Sequence, residues 1–280
     1  MFKKIINKNS LPFCILTLLH LYLIIRLLKQ KKHKSVWLLL LSNIGFAYVF
    51  EYPVLNLFYA YRYRPSIFKN RYVDGILGAI LSQAIYVPIS ATFLTLNNMK
   101  WRWKCSFSLI YFLIENLFIR LKVYRVYWWK PIYTLILLNL YFYISDFFHK
   151  ALTNKRKWAL SIAHYLSINV ITISLMYVSA LLRHFRFGTG IHHTWKEHFV
   201  IAPIYSSVFS YIAMKNASKP GIFNRFSMLI YTVAMEISLN SLGILKLNFK
   251  RMLETTPFYI FMIFISRYLY LIIYQKQQAT

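Results

Sequence analysis

The chain has 280 residues, 58% of them apolar and 19% aromatic, with a mean hydropathy of +0.46 and 34 Lys and Arg against 7 Asp and Glu, a formal charge of +27. This make-up excludes an ordinary soluble domain. The basic residues lie scattered between apolar stretches rather than gathered in one basic domain, which argues against nucleic acid as partner and favours anionic lipid headgroups. A Lys-, Ile-, Asn-, Phe- and Tyr-rich composition of the kind AT-rich coding produces accounts for the same charge.

Nine apolar runs follow one another: 11–28, 36–59, 76–96, 107–121, 132–148, 158–182, 199–214, 226–245 and 258–274. About 20 apolar residues in a helix cross a hydrocarbon core of ~30 Å. Most of the runs approach that length, with 107–121 and 199–214 short, and none shows barrel-type alternation. The expected fold is all-α, a polytopic transmembrane helical bundle of eight or nine spans forming a single membrane domain over 1–280. The bilayer itself is then its first partner.

Residues 1–35 are read as an anchor span and basic loop. Run 11–28 carries His20 and Arg26 and no small-residue cleavage site follows it, so it is expected to be retained, either spanning or lying at the surface. Cys14 and Cys105 offer neither a disulfide framework nor metal spacing. In the second run Asn43, Ala47 and Glu51 share a helix face, and Pro53 frees the carbonyl of Val49 near that carboxylate. Gly78 and Ser82 form a small-xxx-small pair, the ordinary mark of close helix packing and a route to a homo-oligomer or membrane partner. Pro88 predicts a kink near Ala84. Glu115 sits inside an apolar helix that ends in a basic and aromatic turn, 124–130, before Pro131 restarts a helix. Asp146 and Lys150 are spaced for an i,i+4 pair. Ser161 and His164 share a face further on. Thr232, Glu236 and Asn240 then form a polar stripe at intervals of four.

Aligning Glu115 with Glu236, a displacement of 121 residues, pairs Tyr124 with Leu245, Arg125 with Lys246, Trp128 with Phe249 and Lys130 with Arg251. The chain from 36 onward thus divides into two four-helix units, 36–150 and 151–280. An even number of intervening spans makes them parallel repeats. The block Ile114-Glu115-Asn116-Leu117-Phe118, with Tyr124, Trp128-Trp129-Lys130 and Thr134, resembles a recurring element of an uncharacterised family of bacterial multi-pass membrane proteins known chiefly from endospore-forming bacteria. The resemblance covers about residues 40–150, the later half being a degenerate copy. It implies a multi-pass protein of the bacterial cell membrane and says nothing of activity. Lys and Arg counts balance on the two sides if all nine runs span. They favour the 29–34 side as cytoplasmic if the first run lies on the surface.

Three candidate constellations emerge. Glu51, Glu115 and Glu236, with Thr232 and Asn240, are intramembrane polar residues; a midplane carboxylate costs roughly 2.5–3.5 kcal/mol, so each needs an interior partner. They either line an ion or proton pathway or serve as hydrogen-bonded glue between helices. Arg62, Arg64, Arg125 and Lys130 are interface anchors or contacts to phosphate-bearing headgroups. His192, His193 and His198, with His184 and Glu197, fit no zinc-protease spacing, so no metal is expected, and no phosphate loop or nucleophile elbow points to a cofactor. The leading reading is a transporter-like protein rather than an enzyme. Alternatives are a membrane-embedded enzyme or binder acting on anionic lipid or lipid-linked phosphate, and a structural or assembly subunit.

Overall fold

The computed structural model describes residues 6–30, 33–182, 186–189, 191–246 and 249–274. Lys31, Lys32, His184 and the tail 275–280, with the side chains of Phe249 and Arg251, lie outside the described residues. The fold is all-α apart from two short ladders. Its elements are α1 (Leu11–Gln30), α2 (His33–Glu51), β1 (Tyr61–Tyr63), α3 (Arg71–Ile80), α4 (Val87–Leu96), α5 (Trp101–Arg120), β2 (Tyr124–Val126), α6 (Pro131–Thr153), α7 (Lys157–Leu181), β3 (Arg186–Phe187), α8 (Trp195–Ala217), α9 (Ile222–Ser241), β4 (Leu245–Lys246) and α10 (Phe249–Tyr274). Among the described residues, six helical stretches are long and apolar enough to cross a membrane: Leu11–Gln30, Lys34–Leu57, Arg71–Leu96, Pro131–Thr153, Lys157–Leu181 and Met252–Tyr274. They fit a membrane protein. The other three runs lie on α5, α8 and α9, of 20, 23 and 20 residues, which are long enough but more polar.

The chain forms two compact units, 1–159 and 160–280. In the first, two prolines widen helices. Pro53 lies in a π-helical turn, Tyr52–Leu57, closed by the Phe58 N–H on the Pro53 carbonyl at 2.9 Å. A second π-turn, Leu81–Tyr86, joins α3 to α4 just before Pro88 and contains Ala84, where a kink is expected. Proline has no N–H to give and crowds the preceding turn, and a wider turn relieves both.

β1 and β2 pair antiparallel, with Tyr61 opposite Val126, Arg62 opposite Arg125 and Tyr63 opposite Tyr124. Alternation along a strand sends the tyrosines inward and the arginines outward. Tyr61 and Tyr124 are buried, whereas Arg125 is exposed. The strand lies hard against α3: a Cβ on Gly78 would stand 2.3 Å from the Cβ of Tyr63. The close approach that Gly78 permits is therefore to β1 and not, as its spacing with Ser82 suggests, to another helix.

Asp146 pairs with Lys104 of α5 rather than, as its spacing suggests, with Lys150, and accepts from Thr95 Oγ1 at 2.7 Å. Lys104 is buried and needs a counter-ion, whereas Lys150 is exposed and reaches water. The contact ends a polar chain across α2, α4 and α6, in which Asn43 Nδ2 donates to Thr92 and Ser145 (3.0 Å each) and Ser145 meets Thr95 at 2.9 Å.

In the second unit β3 pairs with β4, Arg186 opposite Lys246 and Phe187 opposite Leu245. Phe187 and Leu245 are buried in a core with Phe209, Met228, Tyr259 and Met262. α8 starts at a capping box: Thr194 and Glu197 satisfy each other's backbone N–H. Those bonds from Thr194, joined by Thr189, push the Glu197 carboxyl down to about 2.

Candidate carboxylate cavity

The first unit encloses a cavity of about 390 Å³ among α2, β1, the π-turn before α4, α5, β2 and α6. Its polar lining includes Gln83, Thr134 and Glu115, and its aromatic lining is built round Tyr61, Tyr63, Tyr124 and Trp129. The ring centroids of Tyr63 and Tyr124 are 4.9 Å apart, those of Tyr61 and Tyr124 5.1 Å, and those of Tyr61 and Trp129 5.3 Å. The ladder register produces this cluster, because it aims three tyrosines at one space. Val49 and Phe50 of α2, and Leu140 and Ile144 of α6, line the same cavity and are themselves exposed, so it opens on the apolar flank of the unit.

The two carboxylates of this unit are unequally held. Glu51, 6% exposed, accepts from the Tyr61 hydroxyl at 2.5 Å and from Gln83 Nε2 at 3.0 Å, both on Oε2. Its Oε1 has no partner among the described residues. Glu115, 8% exposed, has no hydrogen-bond partner among the described residues on either oxygen, although both are buried. Tyr124, Trp129 and Thr134 are its polar neighbours, but none meets it with hydrogen-bond geometry, and the Trp129 indole N–H is given to Thr134 Oγ1 at 2.9 Å. Leaving a buried acceptor unmet costs about 1–3 kcal/mol, more for a charged one. Glu51 and Glu115 are brought to one place: Tyr61, Tyr63 and Tyr124 each lie close enough to feel both.

Of the other intramembrane candidates, Glu236 and Thr232 are buried in the second unit. Glu236 Oε1 accepts from the Tyr259 hydroxyl at 2.6 Å, and Tyr205 donates in turn to Tyr259 at 3.1 Å. Thr232 gives its hydroxyl to its own helix at Met228 O. A small space of about 10 Å³, barely one water, touches Tyr259 but is not lined by Glu236. Asn240 is exposed and leaves the stripe. Steps of four residues advance about 400° on a 3.6-residue helix, so two steps turn Asn240 about 80° away from Thr232.

Of the basic candidates, Arg125 is exposed and Arg62 is half-buried, its Cγ and Nε 3.4 and 3.5 Å from where a Cβ on Gly75 of α3 would stand. Arg62 and Arg125 stand directly opposite one another. Arg64 is exposed next to them, with its backbone N–H on Val123 O at 2.8 Å, and Lys130 is exposed at the start of α6. The histidines serve the second ladder. His193 meets the carbonyls of Arg186 at 2.8 Å and Gly243 at 3.0 Å, His198 Nδ1 accepts from Phe187 N at 3.2 Å, and His192 is exposed. Among the described residues no three His, Cys, Asp or Glu gather in a metal-holding group.

Sequence reading missed the inward tyrosines, Gln83 and His20. The alternating Tyr61-Arg62-Tyr63-Arg64 carried a period-two signal for a two-faced strand. His20 had none: α1 turns it onto Tyr111 Oη at 2.9 Å and Ser90 Oγ at 3.1 Å, which ties the first helix to a tyrosine of the cavity wall. Compared with protein-family models, curated proteins and solved structures, the chain matches none of them.

Proposed function

We propose that this is a multi-pass protein of a bacterial cell membrane, transporter-like, whose first unit carries the substrate site at Glu115. The observation that carries the reading is a buried carboxylate without a donor on the wall of a 390 Å³ cavity. A structural glue residue has a donor, as Glu236 has on Oε1. Glu115 has its acceptors open toward a space of ligand size. In this reading α5, α8 and α9 complete a bundle of eight or nine spans.

The units are tandem parallel repeats in this reading. Support comes from their common order, in which a helix, a short strand, further helices and a glutamate-bearing helix precede a second strand that pairs with the first. The displacement of 121 that pairs Glu115 with Glu236 also pairs Tyr124 with Leu245 and Arg125 with Lys246, which occupy equivalent register positions in the two ladders.

The test is proton and cation flux in proteoliposomes under imposed gradients. Flux is expected in the wild type and lost in Glu115→Gln at matched folded content. Wild-type flux in the folded variant removes the reading.

One observation favours a separate contact with anionic headgroups. Like charges directly opposite in a ladder are destabilising, yet Arg62 faces Arg125 and Arg186 faces Lys246. An anionic lipid phosphate over the first pair relieves that repulsion. Arg125→Gln is expected to weaken association with anionic over zwitterionic lipid by about 1 kcal/mol, measured by native mass spectrometry of retained lipid; unchanged lipid preference would count against the contact.

A further inference from the structure

The chemistry of the cavity also restricts what enters it. The chain carries 34 Lys and Arg, yet among the described residues no Lys or Arg lines this cavity. Among the described residues the one carboxylate on its wall is Glu115, with Glu51 behind through Tyr61 and Gln83. A phosphate or carboxylate ligand would meet acids and the negative faces of aromatic rings, and would be repelled. A cation would find both attractions: a carboxylate with unused acceptors, and the faces of Tyr61, Tyr63 and Tyr124 packed within 4.9–5.7 Å of one another. A small inorganic ion is a poor match, because most of the remaining wall is apolar and offers no ring of oxygens. The exposed rim of Val49, Phe50, Leu140 and Ile144 instead accommodates an apolar body entering sideways.

We propose that the cavity of the first unit binds a lipophilic organic cation, its positive head at Glu115 over the tyrosine cluster and its apolar body along α2 and α6 toward the rim. This deepens the transporter-like reading, on which it rests, by naming the substrate class.

The second unit supplies an internal comparison. The displacement of 121 that pairs the two glutamates also pairs Thr134 with Thr255 and Leu138 with Tyr259. Tyr259 is the residue that donates to Glu236. Leu138 lines the first unit's cavity and has no hydroxyl to give, so Glu115 stays unmet and the space stays open. Leu138→Tyr therefore converts the first unit toward the arrangement in which the acid has a donor, and puts a larger side chain on the cavity wall, without touching the acid.

Binding of tetraphenylphosphonium to the purified full chain in lipid nanodiscs, over protein-free nanodiscs, tests this. Tetraphenylborate, alike in shape and apolar surface but opposite in charge, is the competitor. Saturable phosphonium binding that borate does not displace is expected. Affinity should fall about 30-fold or more in Glu115→Gln, the loss that follows when one side of a buried charge pair is neutralised, and Leu138→Tyr should abolish binding. Equal binding of the two ions would mean a hydrocarbon slot and overturn the proposal, as would wild-type affinity in Glu115→Gln or no saturable phosphonium binding at all. Should both variants fail to fold, the phosphonium against borate contrast on the wild type decides alone. Saturable binding with no flux removes transport and leaves the cation site. Glu115-dependent flux without phosphonium binding does the reverse.

Discussion

The two units treat a buried glutamate in opposite ways. In the second, Tyr259 reaches from α10 to Glu236 and Tyr205 backs it up. In the first, Glu115 keeps two unmet oxygens beside about 390 Å³. The difference shows that an acid ahead of a ladder strand is a position the fold tolerates, while its use depends on whether a neighbouring helix brings a donor. One hydroxyl separates glue from a candidate site.

The largest expected effect breaks the comparison from the side of the cavity wall. Gly78→Ala places a methyl group where Tyr63 already stands, at 2.3 Å from its Cβ. Both partners are backbone-proximal, so relief requires the strand to move, and overpacking of this kind costs about 1–3 kcal/mol. Thermal unfolding in bicelles is expected to show that loss, together with loss of any cavity ligand. A variant as stable as the wild type would mean β1 sits less tightly on α3 than described.

Next in size is the pair of tyrosine-to-phenylalanine changes. Tyr259→Phe removes the donor to Glu236 Oε1 and strands a buried carboxylate oxygen, at about 1–3 kcal/mol. Tyr61→Phe leaves Glu51 its bond from Gln83, so the loss is nearer the ordinary net value of about 0.5–1.5 kcal/mol. Equilibrium unfolding of both variants ranks them, and a costlier Tyr61→Phe would reverse the assignment of which unit depends on its tyrosine.

Much of this arrangement was legible in the chain. The positions of Glu51, Glu115 and Glu236 within apolar helices follow from spacing alone, and Pro53 and Pro88 announce the broken helices. The pairing of Arg62 with Arg125 does not, because it joins segments 63 residues apart through a three-residue ladder whose register depends on packing. Without that pairing Tyr61, Tyr63 and Tyr124 read as interface aromatics and not as one inward cluster. Local spacing likewise suggested Asp146 with Lys150, where burial of Lys104 on another helix wins. The donor at Glu236 lay out of reach for the same reason: Tyr259 is 23 residues away, on the next helix.

The smallest effect on stability separates the units most sharply. Glu236→Gln alters a carboxylate that accepts a 2.6 Å bond, and the amide keeps Tyr259 on its oxygen only by placing its own N–H₂ where the other carboxylate oxygen stood, away from water. Glu115→Gln gives up no bond, since neither oxygen has a partner, and removes the larger burden of a buried acid with an uncharged side chain of the same shape. Its unfolding midpoint is therefore expected to stay level or rise slightly, even as flux and cation binding are lost, whereas that of Glu236→Gln falls. Loss of function without loss of stability is the behaviour of a residue held in place by the fold for a ligand. If instead Glu115→Gln unfolds as readily as Glu236→Gln, Glu115 is holding helices together, and the open space beside it has no claim to be a site.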